Sequence, residues 1–148
     1  LKACGSIGAA EKGYEIHLEL TKTGWENQLF SSSSLVDMYA KCGSLEEAEV
    51  VFGKLLVQDV VSWTALIGGY IQHGHCEEAL KCFEQMQRNS VSPSALTFSC
   101  ILKACGKEKV VDEASEIHSQ LARKGLLESD VNVGNTLVDM YAKSWFEC

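Results

Sequence analysis

Proline is nearly absent from this sequence of 148 residues, since Pro93 is the only one. A chain so poor in proline and rich in Ala, Leu, Glu and Lys is predicted to be helical, and its 12 glycines indicate many breaks between short helices. No window of 18 or more uncharged apolar residues occurs, so we expect no membrane partner. The first residues have neither the basic and apolar regions of a signal peptide nor the Arg-rich composition of a transit peptide, so we expect no targeting segment in this stretch.

CxxC pairs are also absent, although the chain has seven cysteines. An odd number without such pairs argues against a complete disulfide framework. Cys82, Cys100 and Cys105 fall where helical periodicity requires an apolar residue. These positions favour buried free thiols in a reducing compartment over disulfides.

Internal repetition is the strongest positive signal in the sequence. Tyr39 recurs 31 residues later as Tyr70, and Trp63 is followed 35 residues later by Phe98. Longer blocks recur at offsets of 101 and 102, which indicates a cycle of three unlike units of 31, 35 and 36 residues. These blocks are 1–5 with 102–106, 15–17 with 116–118, and 35–41 with 137–143.

Each unit is predicted to form two helices. In the central unit a break at residues 73–75 separates the first helix from a second one over 76–88. In the preceding unit Ser44 and Glu47 fit a capping box, which predicts a helix that starts just after Gly43. The apolar stripe of the first central helix comprises Val61, Trp63, Leu66, Ile67, Tyr70 and Ile71, and that of the second comprises Ala79, Leu80, Phe83 and Met86.

Helix pairs of this size cannot bury their apolar faces alone, so neighbouring units must stack. We therefore expect an all-α fold, a right-handed α-solenoid superhelix of helix-turn-helix repeats with one concave face. The recurring tyrosines Tyr39, Tyr70 and Tyr141 are expected to pack between helices and not to stack on a ligand.

The central unit resembles the plain 35-residue motif of pentatricopeptide repeat proteins. Its opening residues 60–67, its 77–80 and 83–86 segments and its closing Ser92-Pro93 carry the likeness. Residues 97–105 with Ile117-His118 resemble the long variant, and residues 35–45 resemble the short variant. Alternating long, short and plain units are typical of the plant subfamily linked to organellar RNA editing, and the resemblance covers essentially the whole chain.

By this resemblance the whole chain is one repeat array of five units, and the chain is a fragment of a longer array. The expected units are a partial long repeat at 1–28, a short repeat at 29–59, a plain repeat at 60–94, a long repeat at 95–130 and a partial short repeat at 131–148.

Members of this family bind single-stranded RNA and read one base per repeat, so the same is expected here. The resemblance makes the fifth and last residues of each unit the base-reading pair. A small hydroxyl residue at the fifth position inclines toward a purine, and with a terminal Asp toward guanine, whereas Asn inclines toward a pyrimidine. The expected base-reading residues are Ser33 with Asp59, Thr64 with Ser94, Ser99 with Asp130, and Asn135.

The resemblance also assigns residues that touch the rest of the nucleotide. Apolar second residues would wedge between bases, and lysines near the end of the first helix would touch phosphate, although Gln72 interrupts the lysine row. The wedging residues are Phe30, Val61 and Leu96, and the phosphate residues are Lys41, Lys107 and Lys143.

Two observations oppose this interpretation. The formal net charge of −7 is unfavourable for a nucleic-acid binder, although the charge on one face can differ from the sum. Ser33, Thr64 and Ser99 could equally be ordinary residues of a helix first turn, where Ser and Thr are common.

Catalytic chemistry is not expected. The His73-Gly74-His75-Cys76 segment has poor zinc-ligand spacing and no second cluster. A deaminase tail of the kind found on editing proteins would need HxE followed by PCxxC. His17-Leu18-Glu19 matches the first half only, and no phosphate-binding loop or nucleophile elbow occurs. No enzyme activity, metal or cofactor is therefore predicted.

The expected function is sequence-specific binding of single-stranded RNA in organellar RNA processing or C-to-U editing, in a mitochondrion or chloroplast. Editing-complex proteins are implied as further partners. Two alternatives stay open: a protein-binding helical scaffold, and a truncated non-functional copy, because residues 144–148 abandon the pattern of residues 42–46.

Overall fold

A computed structural model describes residues 10–24, 29–108 and 110–146, and within these ranges every regular element is helical. The chain divides into two compact units, residues 1–74 and 75–148. The first unit contains α1 (Ala10–Thr23), α2 (Leu29–Cys42), α3 (Leu45–Gly53) and α4 (Val60–Gln72). The second contains α5 (Cys76–Arg88), α6 (Ala95–Glu108), α7 (Val111–Arg123), α8 (Leu126–Ser129) and α9 (Val131–Phe146).

The core of the first unit is built around α2. This helix contacts α1, α3 and α4, so side chains on most of its circumference are removed from water. An almost continuous apolar run makes this possible, since full burial of such a helix requires apolar residues on several faces. The buried residues of this run are Leu35, Val36, Met38, Tyr39 and Ala40.

Gly43 ends α2 and turns the chain into α3. Its φ of 84° lies in the left-handed region, which glycine enters without a Cβ penalty. The Gly43 N–H donates to the Ala40 carbonyl at 3.2 Å, and the Ser44 N–H donates to the Tyr39 carbonyl at 3.0 Å. These two bonds form a Schellman motif, which fixes the angle between the paired helices.

The predicted start of α3 after Gly43 is confirmed, but the predicted capping by Ser44 is wrong. Ser44 occupies the N-cap position without a hydrogen bond from its side chain to the helix. Its ψ of 65° is far from the extended backbone in which a serine hydroxyl reaches the free N–H groups of the first turn. The Schellman bond of the preceding turn therefore determines the conformation of Ser44.

Helices α2 and α4 approach closely at one point, where Gly69 lies against Ala40. A Cβ added to Gly69 would overlap the Ala40 Cβ and lie 3.1 Å from the Ala40 Cα. The neighbouring Gly68 has no atom within 4 Å of the same test position. Of the two adjacent glycines, only Gly69 is required for helix packing.

The second unit is arranged around α6, which contacts α5, α7 and α9. Gly106 lies near its end, where an added Cβ would be 3.6 Å from the Met140 backbone of α9. The apolar stripe predicted for α5 is buried at Ala79, Phe83 and Met86, and Leu80 is half-buried. The buried residues of α6 include Phe98, Ile101, Leu102, Ala104 and Cys105.

Edge-to-face ring contacts recur between the helices of both units. Phe52 and Trp63 have ring centroids 4.6 Å apart, and Phe83 and Phe98 are 5.8 Å apart. In the remaining two cases a histidine takes the place of Phe52 and Phe83, and its partner is the eleventh and not the fourth residue of the contacting helix. His17 meets Tyr39 at 5.6 Å, and His118 meets Tyr141 at 5.9 Å, all four pairs being edge to face.

Candidate nucleic-acid interface

The four helices that begin the predicted units, α2, α4, α6 and α9, are called the first helices below. They begin at the first residue of each expected unit. The paired helices α1, α3, α5 and α7 are called the second helices. The boundary between the two compact units falls inside the expected plain repeat, between α4 and α5.

The fifth residues of the expected units differ in exposure. Ser33 is buried, Thr64 and Ser99 are half-buried, and Asn135 is exposed. The Thr64 hydroxyl donates to the Val60 carbonyl at 2.6 Å.

The last residues of the expected units cap the helix that follows. Asp59 Oδ1 accepts from the Ser62 N–H at 2.9 Å, and Asp130 Oδ1 accepts from the Asn132 N–H at 2.9 Å. Ser94 Oγ accepts from the Thr97 N–H at 3.3 Å. Capping by Asp or Ser is a common structural role, and it was readable in the sequence as a polar residue just before an apolar helix. Each carboxylate retains its second oxygen for another donor.

Two of the three expected wedging residues are strongly exposed. Val61 has 60% and Leu96 has 65% of its surface accessible, although both are branched apolar residues at the second position of a first helix. The inclusion of Val61 in the buried stripe of α4 is therefore wrong, since the helix turns this position toward solvent. The other predicted residues of the stripe are buried, namely Trp63, Leu66, Ile67, Tyr70 and Ile71. The Phe30 side chain lies outside the described residues.

The expected phosphate lysines do not share one environment. Lys41 Nζ lies 2.8 Å from Asp37 Oδ2, and Lys143 Nζ lies 2.8 Å from Asp139 Oδ2. Lys107 is exposed, and the position four residues before it is Lys103. Sequence reasoning missed the two aspartates, although an acid four residues before a lysine is a readable helical pair.

Charge is divided unequally between the two kinds of helix. The second helices contain 12 acidic and 5 basic residues, so their net charge is −7, the same as that of the whole chain. The first helices contain 3 acidic and 4 basic residues, a net charge of +1. The objection raised by the overall charge therefore applies to the second helices and not to the first.

The two equivalent histidines of the second helices contact tyrosines of the first helices. His17 Nδ1 is 2.8 Å from the Tyr39 hydroxyl, and His118 Nδ1 is 3.3 Å from the Tyr141 hydroxyl. His73 and His75 are exposed, while Cys76 beside them is buried. Within the described part of the chain no group of three or more His, Cys, Asp or Glu side chains could hold a metal ion. None of the described helices is both long and apolar enough to cross a bilayer.

The cysteines that the structure describes are free thiols. Cys76 and Cys105 are buried, whereas Cys42, Cys82 and Cys100 are half-buried. Burial raises the pKa of Cys105 to about 11, and it also raises the pKa of Cys76 and Cys100. These groups are therefore neutral and poorly reactive at neutral pH.

Family models match most of the described chain. A model described as "PPR repeat family" matches residues 58–107, and one described as "PPR repeat" matches residues 30–60 and 96–126. Together these matches span more than half of the sequence.

Two relatives from Arabidopsis thaliana extend the similarity to nearly the full length of the chain. One pentatricopeptide repeat-containing protein is 38% identical over 97% of this chain and 19% of its own length. Another, named as chloroplastic, is 41% identical over 99% of this chain and 24% of its own length. The chain thus spans about a fifth to a quarter of these relatives.

Solved structures agree with this assignment. The pentatricopeptide repeat protein PPR10 from maize matches 97% of this chain and 21% of its own, with a TM-score of 0.70 and 27% identity. PPR10 in complex with an 18-nt psaJ RNA element matches 90% of this chain and 20% of its own, with a TM-score of 0.71 and 25% identity. The expected fold class, an all-α solenoid of helix-turn-helix repeats, is confirmed, and the chain belongs to the pentatricopeptide repeat family.

Proposed function

We propose that this chain binds single-stranded RNA as a segment of a pentatricopeptide array. The carrying observation is its similarity, over 90% of its length, to a family member that was crystallised with an RNA element. The positive balance of the first helices supports the same role, because phosphate neutralisation supplies much of the affinity for nucleic acid.

Each unit would read one base from the start of its first helix. Thr64 and Ser94 would contact the base opposite the plain unit, and Ser33 with Asp59 the base opposite the short unit. The capping bonds of Asp59 and Asp130 support this role, because they hold one carboxylate oxygen while the other can accept from a base. Ser99 with Asp130 and the exposed Asn135 would serve the two following units.

Apolar contacts would hold the strand between the reading positions. Val61 and Leu96 have apolar side chains that are exposed to solvent. Bases that pack against them would cover this apolar surface. Phe30 would serve the short unit in the same way. Lys41, Lys107 and Lys143 would touch phosphate and position the strand without reading its sequence.

The array is proposed to be a non-catalytic binding module of a plant organellar protein. The word chloroplastic in the name of one relative supports an organelle, either chloroplast or mitochondrion. A role in RNA processing or C-to-U editing, with editing-complex proteins as partners, follows from the long, short and plain pattern of the units. Because the relatives are four to five times longer, chemistry would be supplied elsewhere in the full protein or by those partners.

A salt titration tests the proposal. The purified chain is mixed with a labelled single-stranded RNA whose bases follow the expected order guanine, purine, guanine, pyrimidine, in both directions, and with an all-uridine RNA of equal length. We expect saturable binding at low salt, stronger for one ordered RNA and weakened as salt rises. Absence of saturable binding to any of these RNAs at low salt would contradict RNA binding and favour a protein-binding scaffold.

A further inference from the structure

Two ion pairs of the same geometry recur on the first helices. Lys41 and Asp37 on α2, and Lys143 and Asp139 on α9, are four residues apart with Nζ to Oδ2 distances of 2.8 Å. The remaining ion pairs among the described residues are longer, from 3.0 to 3.6 Å, and all lie on second helices. The short pairs therefore belong to the helices that carry the proposed RNA contacts.

The equivalent positions of the other first helices carry no such pair. In α4 they are Gly68 and Gln72, which are both uncharged. In α6 they are Lys103 and Lys107, which carry the same sign. Two of the four first helices thus pair their phosphate lysine with an acid, one has no charge at these positions, and one has a second lysine there.

We propose that Asp37 and Asp139 determine specificity by restraining sequence-independent binding to phosphate. This inference rests on the proposed RNA-binding function. Each aspartate holds its lysine along the helix and cancels its charge, so the lysine guides the strand but adds little attraction. The affinity for RNA then depends mainly on the base-reading and wedging residues, which differ between sequences.

The partial burial of the α2 pair strengthens the restraint there. The side chains of Lys41 and Asp37 are 40% and 27% exposed, whereas those of Lys143 and Asp139 are 57% and 59% exposed. Water screens a half-buried pair less, so it competes better with an approaching phosphate. A phosphate that contacts Lys41 would also lie within several ångströms of the Asp37 carboxylate and be repelled by it. The substitution of Asp37 should consequently have the larger effect.

Substitution by asparagine tests the inference, because it removes the charge and keeps the size of the side chain. Asp37→Asn, Asp139→Asn and the double variant are titrated with the ordered RNAs and the all-uridine RNA described above. We expect each substitution to raise the affinity for all of these RNAs by up to about fivefold at low salt. The slope of log affinity against log salt should steepen by about 0.7 for each freed lysine. The ratio between the preferred ordered RNA and the all-uridine RNA should fall.

The matched control is Glu77→Gln, which breaks the Lys81 to Glu77 pair of 3.0 Å on the second helix α5. It removes the same kind of helical ion pair, so its effect on melting temperature should match that of Asp139→Asn, while its RNA affinity and salt slope stay near wild type. Unchanged or lower affinity of the Asp→Asn variants, with saturable binding by the wild type, would overturn this inference and leave RNA binding intact. Absence of binding by the wild type would overturn the proposed function, and this inference with it.

Discussion

Cys105 couples the stability of the second compact unit to pH through a single buried thiol. Cys105 lies on α6 and its side chain is fully buried. This burial raises the pKa of the thiol from 9.0 to about 11. In the unfolded chain the thiol loses its proton near pH 9, whereas in the folded chain it keeps the proton up to about pH 11. The folded state therefore gains stability from the neutral thiol below pH 9, and this contribution is lost as the pH rises to 11.

We predict that the free energy of unfolding falls by about 2–3 kcal/mol between pH 8.5 and pH 11 as a result of Cys105 alone. Urea denaturation under reducing conditions, followed by circular dichroism, measures this fall. Cys105→Ala should lower stability at pH 8.5 through the lost packing but should reduce the dependence on pH. Equal pH dependence in the variant and the wild type would show that Cys105 is not the titrating group.

Single residues also mark where sequence reasoning reached its limit. The left-handed turn at Gly43 was predictable, because glycine after an apolar run is a common helix terminator. Ser90 adopts the same backbone region with a φ of 60°, and this turn was not predicted because position 90 is not a glycine. The Val91 N–H donates to the Met86 carbonyl at 3.1 Å and the Ser90 N–H donates to the Gln87 carbonyl at 3.0 Å, which is the same local Schellman motif as at Gly43 but without a glycine.

At the scale of elements, the helices themselves were largely predictable. The second helix of the central unit was expected over 76–88, which are the bounds of α5. Repetition and apolar periodicity carry this information because every unit must present the same face to its neighbours. Apolar periodicity did not predict the exposure of Val61. An apolar residue at the start of a helix can pack in the core or contact a ligand, and the pattern does not distinguish the two.

The crossing of α2 and α4 offers a paired test on adjacent residues. Gly68→Ala should stabilise the chain by up to about 1 kcal/mol, because alanine is the better helix former and the site is open. Gly69→Ala should destabilise it by about 1–3 kcal/mol, because the new methyl group overlaps Ala40. Thermal unfolding of both variants measures the difference. Effects of the same sign would contradict the close approach of the two helices.

For the whole molecule, the separation of charge between first and second helices changes how the net charge is interpreted. An acidic chain can bind nucleic acid if its acids lie on helices that the strand does not touch. The charge separation and the Asp37 and Asp139 pairs were missed although both could have been predicted, because an acid four residues before a lysine is a readable pair once a helix is expected.

The exposed apolar residues provide a test of the proposed interface as a whole. The double substitution Val61→Ser and Leu96→Ser should reduce the affinity for every single-stranded RNA by tenfold or more, because apolar contact with two bases is lost, each worth roughly 1 kcal/mol. Filter binding or fluorescence anisotropy measures this loss. Leu56→Ser is the control, since Leu56 is 87% exposed and lies between α3 and α4, outside the first helices. A loss of affinity as large in the control would contradict a specific role for Val61 and Leu96.

The most direct test of base reading is a change of preference at one nucleotide. Thr64→Asn is compared with the wild type on single-stranded RNAs that differ only in the base opposite the plain unit. We predict that the wild type binds the purine-containing RNA more tightly and that the variant shifts toward the pyrimidine, with preferences at the other positions unchanged. An identical preference in both proteins, at equal overall RNA affinity, would contradict the claim that the first helices of this chain read the sequence of RNA.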